Sequence, residues 1–232
     1  MNAIEFRLDY FQIYELERPI SILRTTIVEL RGQFDKEYAK ARLISLDKFA
    51  DRVSKNGEDF YDKNAHLNWY SLRQPNIPNR RRLVIVRNQF YPQEQELLIY
   101  RLVGLLVPAQ KRIYPSRKFS PITELDHYKV YRVIEGQRVD RPPVKLEDQF
   151  GGREARVYEP YCFAVPVFKK YRDKEYKILN KDAHLTIYKA TPSKDVPAVV
   201  DTRDQFAARR GLKLGPSYLL AVPSKKVDWK DV

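Results

Sequence analysis

The sequence predicts an all-β protein built from four tandem copies of one unit, and three observations predict it. A Gln-Phe dipeptide recurs at Gln33-Phe34, Gln89-Phe90, Gln149-Phe150 and Gln205-Phe206, at spacings of 56, 60 and 56 residues. Around it, apolar and polar residues alternate with a period of two, the pattern of a half-buried strand. Val, Ile, Tyr and Phe dominate the recurring blocks, and these residues suit a pleated surface.

The first block of each copy reads His/Tyr-apolar-x-apolar-Tyr: Tyr10 to Tyr14, His66 to Tyr70, His127 to Tyr131 and His184 to Tyr188. All three histidines, His66, His127 and His184, occupy one column of it. The second block runs from Val28, Val84, Val144 or Val200 to the Gln-Phe pair six residues later. The residue before each Gln is Gly32, Asn88, Asp148 or Asp204, which suits a bulge or strand end because these residues tolerate left-handed backbone. The third block is apolar-x-Val-Pro-x-x-Lys, ending at Lys111, Lys169 and Lys226. Copy one is degraded there, with Phe49-Ala50-Asp51-Arg52 leading to Lys55. Its proline fits an edge or terminal position, since proline donates nothing to a ladder. Short strands such as 155–158 and 211–214 fall between the second and third blocks. Residues 37–51 have helix-forming composition but align with strands elsewhere, so they too are expected to be strand.

With three to four strands per copy, the repeats are 1–56, 57–115, 116–175 and 176–232, about 57 residues each. Residues 56–64, 112–123 and 170–181 read as connections, and 172–182 as a short turn. One copy cannot bury both of its faces, so neighbours must supply the rest of the core. The whole chain, 1–232, is expected to form one repeat-built unit, closing as a propeller-like body or as paired barrels or sandwiches. In the paired case the halves would be 1–115 and 116–232.

Composition narrows the function classes. Lys and Arg number 43 against 30 Asp and Glu, for a net charge of +13. The single cysteine, Cys162, excludes a disulfide scaffold and a zinc site built on several thiolates. Met1 to Arg7 has no basic segment followed by an apolar run, and no stretch approaches the ~18 apolar residues of a membrane span. The expected location is cytoplasmic, with the mature form of a secreted chain also compatible.

The blocks resemble an uncharacterised family of bacterial and archaeal repeat domains whose units carry His-Tyr-x-Cys-Tyr, Asp-Gln-Phe-Gly and Leu-Cys-x-Pro-x-x-Lys blocks. Residues 127–131, 148–151 and 164–169 carry the resemblance, as do 184–188, 204–206 and 221–226. It covers essentially the whole chain and implies no activity, although many members look secreted. The family's cysteines fall at Ile13, Trp69, Val130 and Ile187, and again at Ala50, Leu106, Ala164 and Ala221. If they pair within a unit, the resemblance implies that the first and third blocks touch, here by apolar packing. Cys162 lies two residues from a family position and is no remnant of such a pair.

None of the candidate residues assembles a unique reactive set. The histidine column suggests metal binding only if pseudo-symmetry gathers the imidazoles, and Tyr10 in the first copy argues for a repeated structural hydrogen bond instead. Gln33, Gln89, Gln149 and Gln205 read as buried amides tying the strands together. Cys162 reads as a small buried apolar residue. No nucleotide, nucleophile-elbow or zinc-protease motif is present, and no copy is distinguished from the others. The expectation is a non-enzymatic structural or binding module without cofactor or metal, engaging protein partners within a larger assembly. The alternative is nucleic-acid or other polyanion binding through phosphate contacts, with Arg80, Arg81, Arg82, Arg153, Arg156, Arg209 and Arg210 as the candidate residues.

Overall fold

A computed structural model describes residues 7–75, 79–113, 116–194 and 198–232. The N-terminal reading over residues 1–6 and the repeat boundary at residue 115 lie outside the described residues. Copy one supplies β1 (Tyr10–Gly32) and β2 (Ala39–Lys55), so the stretch from 37 to 51 is strand from Ala39 onward and contains no helix. Copy two supplies β3 (His66–Arg73), β4 (Arg82–Asn88), β5 (Gln95–Pro108) and β6 (Gln110–Ile113). Copy three supplies β7 (His127–Gly136), β8 (Val144–Asp148), β9 (Gly151–Ala155) and β10 (Val157–Tyr171), with β11 (Lys174–Tyr176) in the connection that follows. Copy four supplies β12 (His184–Ala190), β13 (Ala198–Arg203) and β14 (Ala208–Asp231). The protein is all-β, and no helix among the described residues is long and apolar enough to cross a membrane.

The first- and third-block strands alternate around a closed antiparallel ring, β1-β2-β3-β5-β7-β10-β12-β14 and back to β1. The cyclic order of copies is that of a propeller-like body, but neighbouring copies are hydrogen-bonded edge to edge, so the ring is one continuous sheet. Its interior is apolar and includes Phe11, Ile13, Leu67, Trp69, Tyr128, Val130, Leu185 and Ile187 with Ala50, Leu106, Ala164 and Ala221. Within each copy the first and third blocks pair directly: Ile13 with Ala50, Trp69 with Leu106, Val130 with Ala164, and Ile187 with Ala221. These are the pairs of positions at which the sequence resemblance implied a contact between the first and third blocks. Trp69 is the largest of them, and it fits because Gly104 leaves room; a Cβ there would lie 2.3 Å from the Trp69 indole nitrogen.

The second-block strand leaves the ring and returns along its outside as an arm. Each arm pairs with the third-block end two copies away: β1 with β10, β4 with β14, β8 with β2, and β13 with β6. This diagonal pairing explains the recurring proline, which lies within β10 and β14 and is not at their ends. Along β10 the partner on one side is β12 as far as Ala164 and becomes β1 from Val167. Pro166 sits in that changeover, and Pro223 sits between the β1 and β4 pairings of β14. Pro108 likewise falls between Leu106, paired with β7, and Gln110, paired with β13. A missing N–H is tolerated where a strand exchanges neighbours, so each proline marks a local edge inside a closed sheet.

The arm tips lock the diagonals. Tyr14 packs edge-on against Phe150, Tyr131 against Phe34, Tyr70 against Phe206 and Tyr188 against Phe90, with ring centroids 5.3–5.4 Å apart. The turn residues serve a different purpose from the one their composition suggested, since none of Gly32, Asn88, Asp148 and Asp204 has a left-handed φ. Instead their side chains close the turn. Asp148 Oδ1 accepts from Phe150 N at 2.8 Å, Asn88 Oδ1 from Phe90 N at 2.9 Å, and Asp204 Oδ1 from Phe206 N at 2.8 Å. The second carboxylate oxygen reaches the diagonal tyrosine, Tyr14 donating to Asp148 at 2.6 Å and Tyr70 to Asp204 at 2.5 Å. Gly32 lacks a side chain, and Asp35 replaces it, accepting from Gly32 N and from the buried Lys129 Nζ, both at 2.7 Å.

Candidate functional site

The ring and arms bring the three most persistent polar residues of the repeat together. The His of one copy, the Lys ending its third block and the Gln of the following copy's arm converge at a corner of the ring. There are four corners: Tyr10 and Lys55 at the first; His66, Lys111 and Gln149 at the second; His127, Lys169 and Gln205 at the third; His184, Lys226 and Gln33 at the fourth. The lysine had been read only as the end of a strand motif. Its recurrence 19–21 residues after each Phe was the available signal that it has a partner.

The second corner is distinguished, against the expectation that no copy is. Asp51 stands where the other copies have Val107, Val165 and Val222, and its side chain is fully buried. Its Oδ1 accepts from Lys111 Nζ at 2.7 Å and lies 2.7 Å from His66 Nδ1, while Oδ2 accepts from Gln149 Nε2 at 2.7 Å. Burial opposes the Asp51 charge, but His66 and Lys111 outweigh it and hold the carboxyl below its ordinary value. Burial pushes Lys111 down to about 8 despite Asp51, leaving it charged at neutral pH, and lowers His66 as well. The degraded third block of copy one is thus the place where a buried carboxylate enters the repeat.

The third corner keeps the triad without the acid. Lys169 is fully buried, and its Nζ lies 2.7 Å from His127 Nε2. Gln205 Nε2 faces the same ring nitrogen at 3.1 Å. No Asp or Glu among the described residues forms an ion pair with Lys169; its ammonium instead rests 3.8 Å from the Tyr176 ring centroid and 5.3 Å from that of Phe206. Burial pushes Lys169 down to about 6, and burial plus the neighbouring Lys169 drives His127 well below its usual range. At the fourth corner, Gln33 Nε2 and His184 Nε2 are 2.9 Å apart, and burial pushes His184 down to about 4. At the first, Lys55 Nζ lies 5.3 Å from the Tyr10 ring centroid and pairs with Glu58. The three histidines therefore occupy three separate corners, and no group of three His, Cys, Asp or Glu among the described residues is placed to hold a metal.

The seven candidate arginines are divided among three arms. Arg82 lies 3.1 Å from Asp231 and over the Phe34 ring, and the exposed Arg80 is 4.0 Å from the same Asp231. Arg153 donates to Gln12 and to the Thr191 carbonyl, and the Arg156 backbone is held by Thr191. Arg209 reaches Asp204 at 3.6 Å and the Tyr70 ring. Arg81 and Arg210 are exposed. Cys162 is buried against Ile187 and Arg132, and burial pushes its thiol up to about 12, which leaves it an unreactive thiol at neutral pH.

Two surface features complete the picture. The connections between copies meet at one pole of the ring around a cavity of about 1020 Å³. Tyr61, Ile122 and Leu179 line it, 48, 83 and 62% exposed, each five residues before the histidine of its copy. A smaller groove of about 370 Å³ on the flank gathers Arg73, Arg80, Arg82 and Arg101 beside Tyr100, with Asp35 as its one acid.

Comparison with known proteins matches residues 66–223 to a family model described as a repeat of unknown function, DUF7450. The match opens on His66 and closes on Pro223, leaving out the copy with the degraded third block. No curated protein matches the chain. No solved structure does either. The matched segment is more than half of the chain, which therefore belongs to this family of repeats of unknown function.

Proposed function

We propose that the chain is a non-enzymatic module that binds a protein partner through the pole where its inter-copy connections meet. One observation carries this reading: the repeat places a large apolar side chain at the same exposed position three times, as Tyr61, Ile122 and Leu179, around a single cavity. Scattered exposed apolar residues are ordinary, but a clustered set with a polar rim is typical of interaction sites. The corner histidines, glutamines and lysines are drawn into contacts between copies, which supports a rigid body presenting a surface more than a reactive centre. The test is affinity capture from the native source with the wild-type chain and with a Tyr61→Ser/Ile122→Ser/Leu179→Ser variant of unchanged melting temperature. A stoichiometric protein captured by the first and lost by the second is expected. A partner retained by the variant, or turnover abolished by His66→Ala, contradicts the reading.

The flank groove favours a second reading, polyanion binding. Four guanidinium groups surround it, and its one acid, Asp35, is already bonded to Lys129. Phosphate contacts of this kind give an affinity that falls steeply with salt. Binding of single-stranded nucleic acid that weakens with salt in the wild type, and with a shallower slope in Arg73→Gln/Arg101→Gln, is the expected outcome. Binding that is absent or insensitive to salt rules it out.

A further inference from the structure

The second and third corners are built from the same parts and differ in one residue. Ala50 pairs with Leu67 and Asp51 with His66, so the carboxylate of Asp51 enters its corner beside the histidine. Leu106 pairs with Tyr128, which sets Val107 beside His127 one step further along the antiparallel register. Val107 is thus the counterpart of Asp51, and it is fully buried.

The substitution leaves the third corner short of an acceptor. At the second corner, Asp51 offers two oxygens to the Lys111 ammonium and the Gln149 amide, with His66 in contact as well. At the third, Lys169 Nζ and Gln205 Nε2 both lie against His127 Nε2, at 2.7 and 3.1 Å, and as an acceptor that ring nitrogen has a single lone pair to give. Two nitrogens share one ring nitrogen, and the lysine makes no ion pair; the carboxylate that acts on it, Asp204, already accepts from Asn68, Tyr70 and Phe206 N. Buried donors left in this state are costly, so a ligand that supplies oxygens has a ready source of binding energy here.

A cavity of about 490 Å³ opens on His127 and Gln205 of this corner, though not on the fully buried Lys169. The apolar Pro108, Ile122 and Leu125 line it, together with the cationic Lys174 and Arg203 and one acid, Asp204. It is a small space with polar donors at one end and an apolar body, the usual plan of a small-molecule pocket.

We propose that the third corner is a binding site for a carboxylate carried on a short apolar body, whose oxygens take the place that Asp51 occupies at the second corner. The carboxylate accepts from Gln205 Nε2 and Lys169 Nζ, and the apolar body lies against Pro108, Ile122 and Leu125. The carboxylate is that of a free acid or the terminal carboxylate of a peptide. The site shares Ile122 with the pole of the protein-docking reading, but its polar groups, His127, Lys169 and Gln205, do not line that pole.

The test measures the melting temperature of the full chain with butyrate and benzoate, against butyramide, benzamide and chloride at equal ionic strength. N-acetyl-Ala-Val with a free and with an amidated carboxyl forms a parallel arm, which separates a free acid from a peptide terminus as the source. A saturable rise of about 2 °C or more with the acids of either arm, absent with the amides and chloride, is expected. Val107→Asp fills the site from within and should abolish the rise. Lys169→Met removes the amine, which takes up a proton to pair with the bound carboxylate, at nearly constant shape and should abolish the rise too, and it carries the test alone if Val107→Asp does not fold. No rise in the wild type, a rise shared by the amides, or a rise that persists in either folded variant overturns the proposal.

Discussion

The second and third corners hold an equivalent histidine, lysine and glutamine on equivalent elements of successive copies, yet one is a closed salt-bridged cluster and the other a buried amine without an ion pair. Asp51 against Val107 is the difference. It teaches that in a repeat protein the polar triad is supplied by the repeated architecture, while its electrostatic state is set by a single position that need not repeat. Where the carboxylate is present the corner is a lock between copies. Where it is absent, the same groups form a site with donors to spare.

The largest effect expected from breaking this comparison is that of Asp51→Val, which makes the second corner resemble the third. It strands Lys111 and Gln149 and should cost about 3–5 kcal/mol, the usual loss when one partner of a buried pair is removed. Urea unfolding measures it, and a cost below about 1 kcal/mol would show that the cluster rearranges freely.

Next comes a control on the ring behind the corners. Val130→Cys with Ala164→Cys, and separately Ile13→Cys with Ala50→Cys, place two cysteines at positions that face each other. Both should oxidise to disulfides and add about 2–4 kcal/mol. Equal gains would mean that the ring has the same geometry in copies one and three, with and without the neighbouring Asp51. Intact-mass analysis showing free thiols after oxidation would contradict the register.

A smaller difference is expected at the diagonals. Tyr14→Phe removes a hydroxyl that donates to the Asp148 carboxylate and should cost about 1–3 kcal/mol. Tyr131→Phe, whose diagonal turn carries Gly32, should cost about 0.5 kcal/mol or less. Equal costs would remove the turn carboxylates from the description of the lock.

The smallest effect is a dependence on pH. Lys169 sits at about 6 in the folded chain, below the ordinary lysine value. Between these two values the unfolded chain binds a proton that the folded corner does not, so stability contributed by this amine rises with pH across that window. Lys111, at about 8, gives the same sign over a narrower window. Urea midpoints from pH 6.5 to 8 should rise less steeply in Lys169→Met than in the wild type, and an unchanged slope would contradict the lysine's protonation state.

Much of this was legible in the sequence, because repetition reveals whatever each copy needs for itself. The recurring Gln, the period-two alternation and the facing first- and third-block positions all describe contacts within a copy or with its immediate neighbour. The diagonal arms were not legible, since nothing in residues 144–150 says that the strand will pair with β2 two copies away. The recurring proline was therefore assigned to an edge without the knowledge that the edge lies inside a strand. Asp148 and Asp204 were read for their backbone freedom because Gly32 aligned with them, although Asp35 supplies the missing carboxylate three residues later. Asp51 was visible as a departure from the third block, but only the corner shows that this departure carries a buried charge. The exposed column of Tyr61, Ile122 and Leu179 was equally open to counting back from each histidine.

The most direct measurement is an NMR titration of the lysine side-chain amines, with Lys169→Met and Lys111→Met assigning the two corners. An amine titrating near 6 that disappears in Lys169→Met, and another near 8 that disappears in Lys111→Met, is the predicted result. If both titrate within the ordinary lysine range, the third corner has its counter-charge after all, and the distinction between the two corners fails.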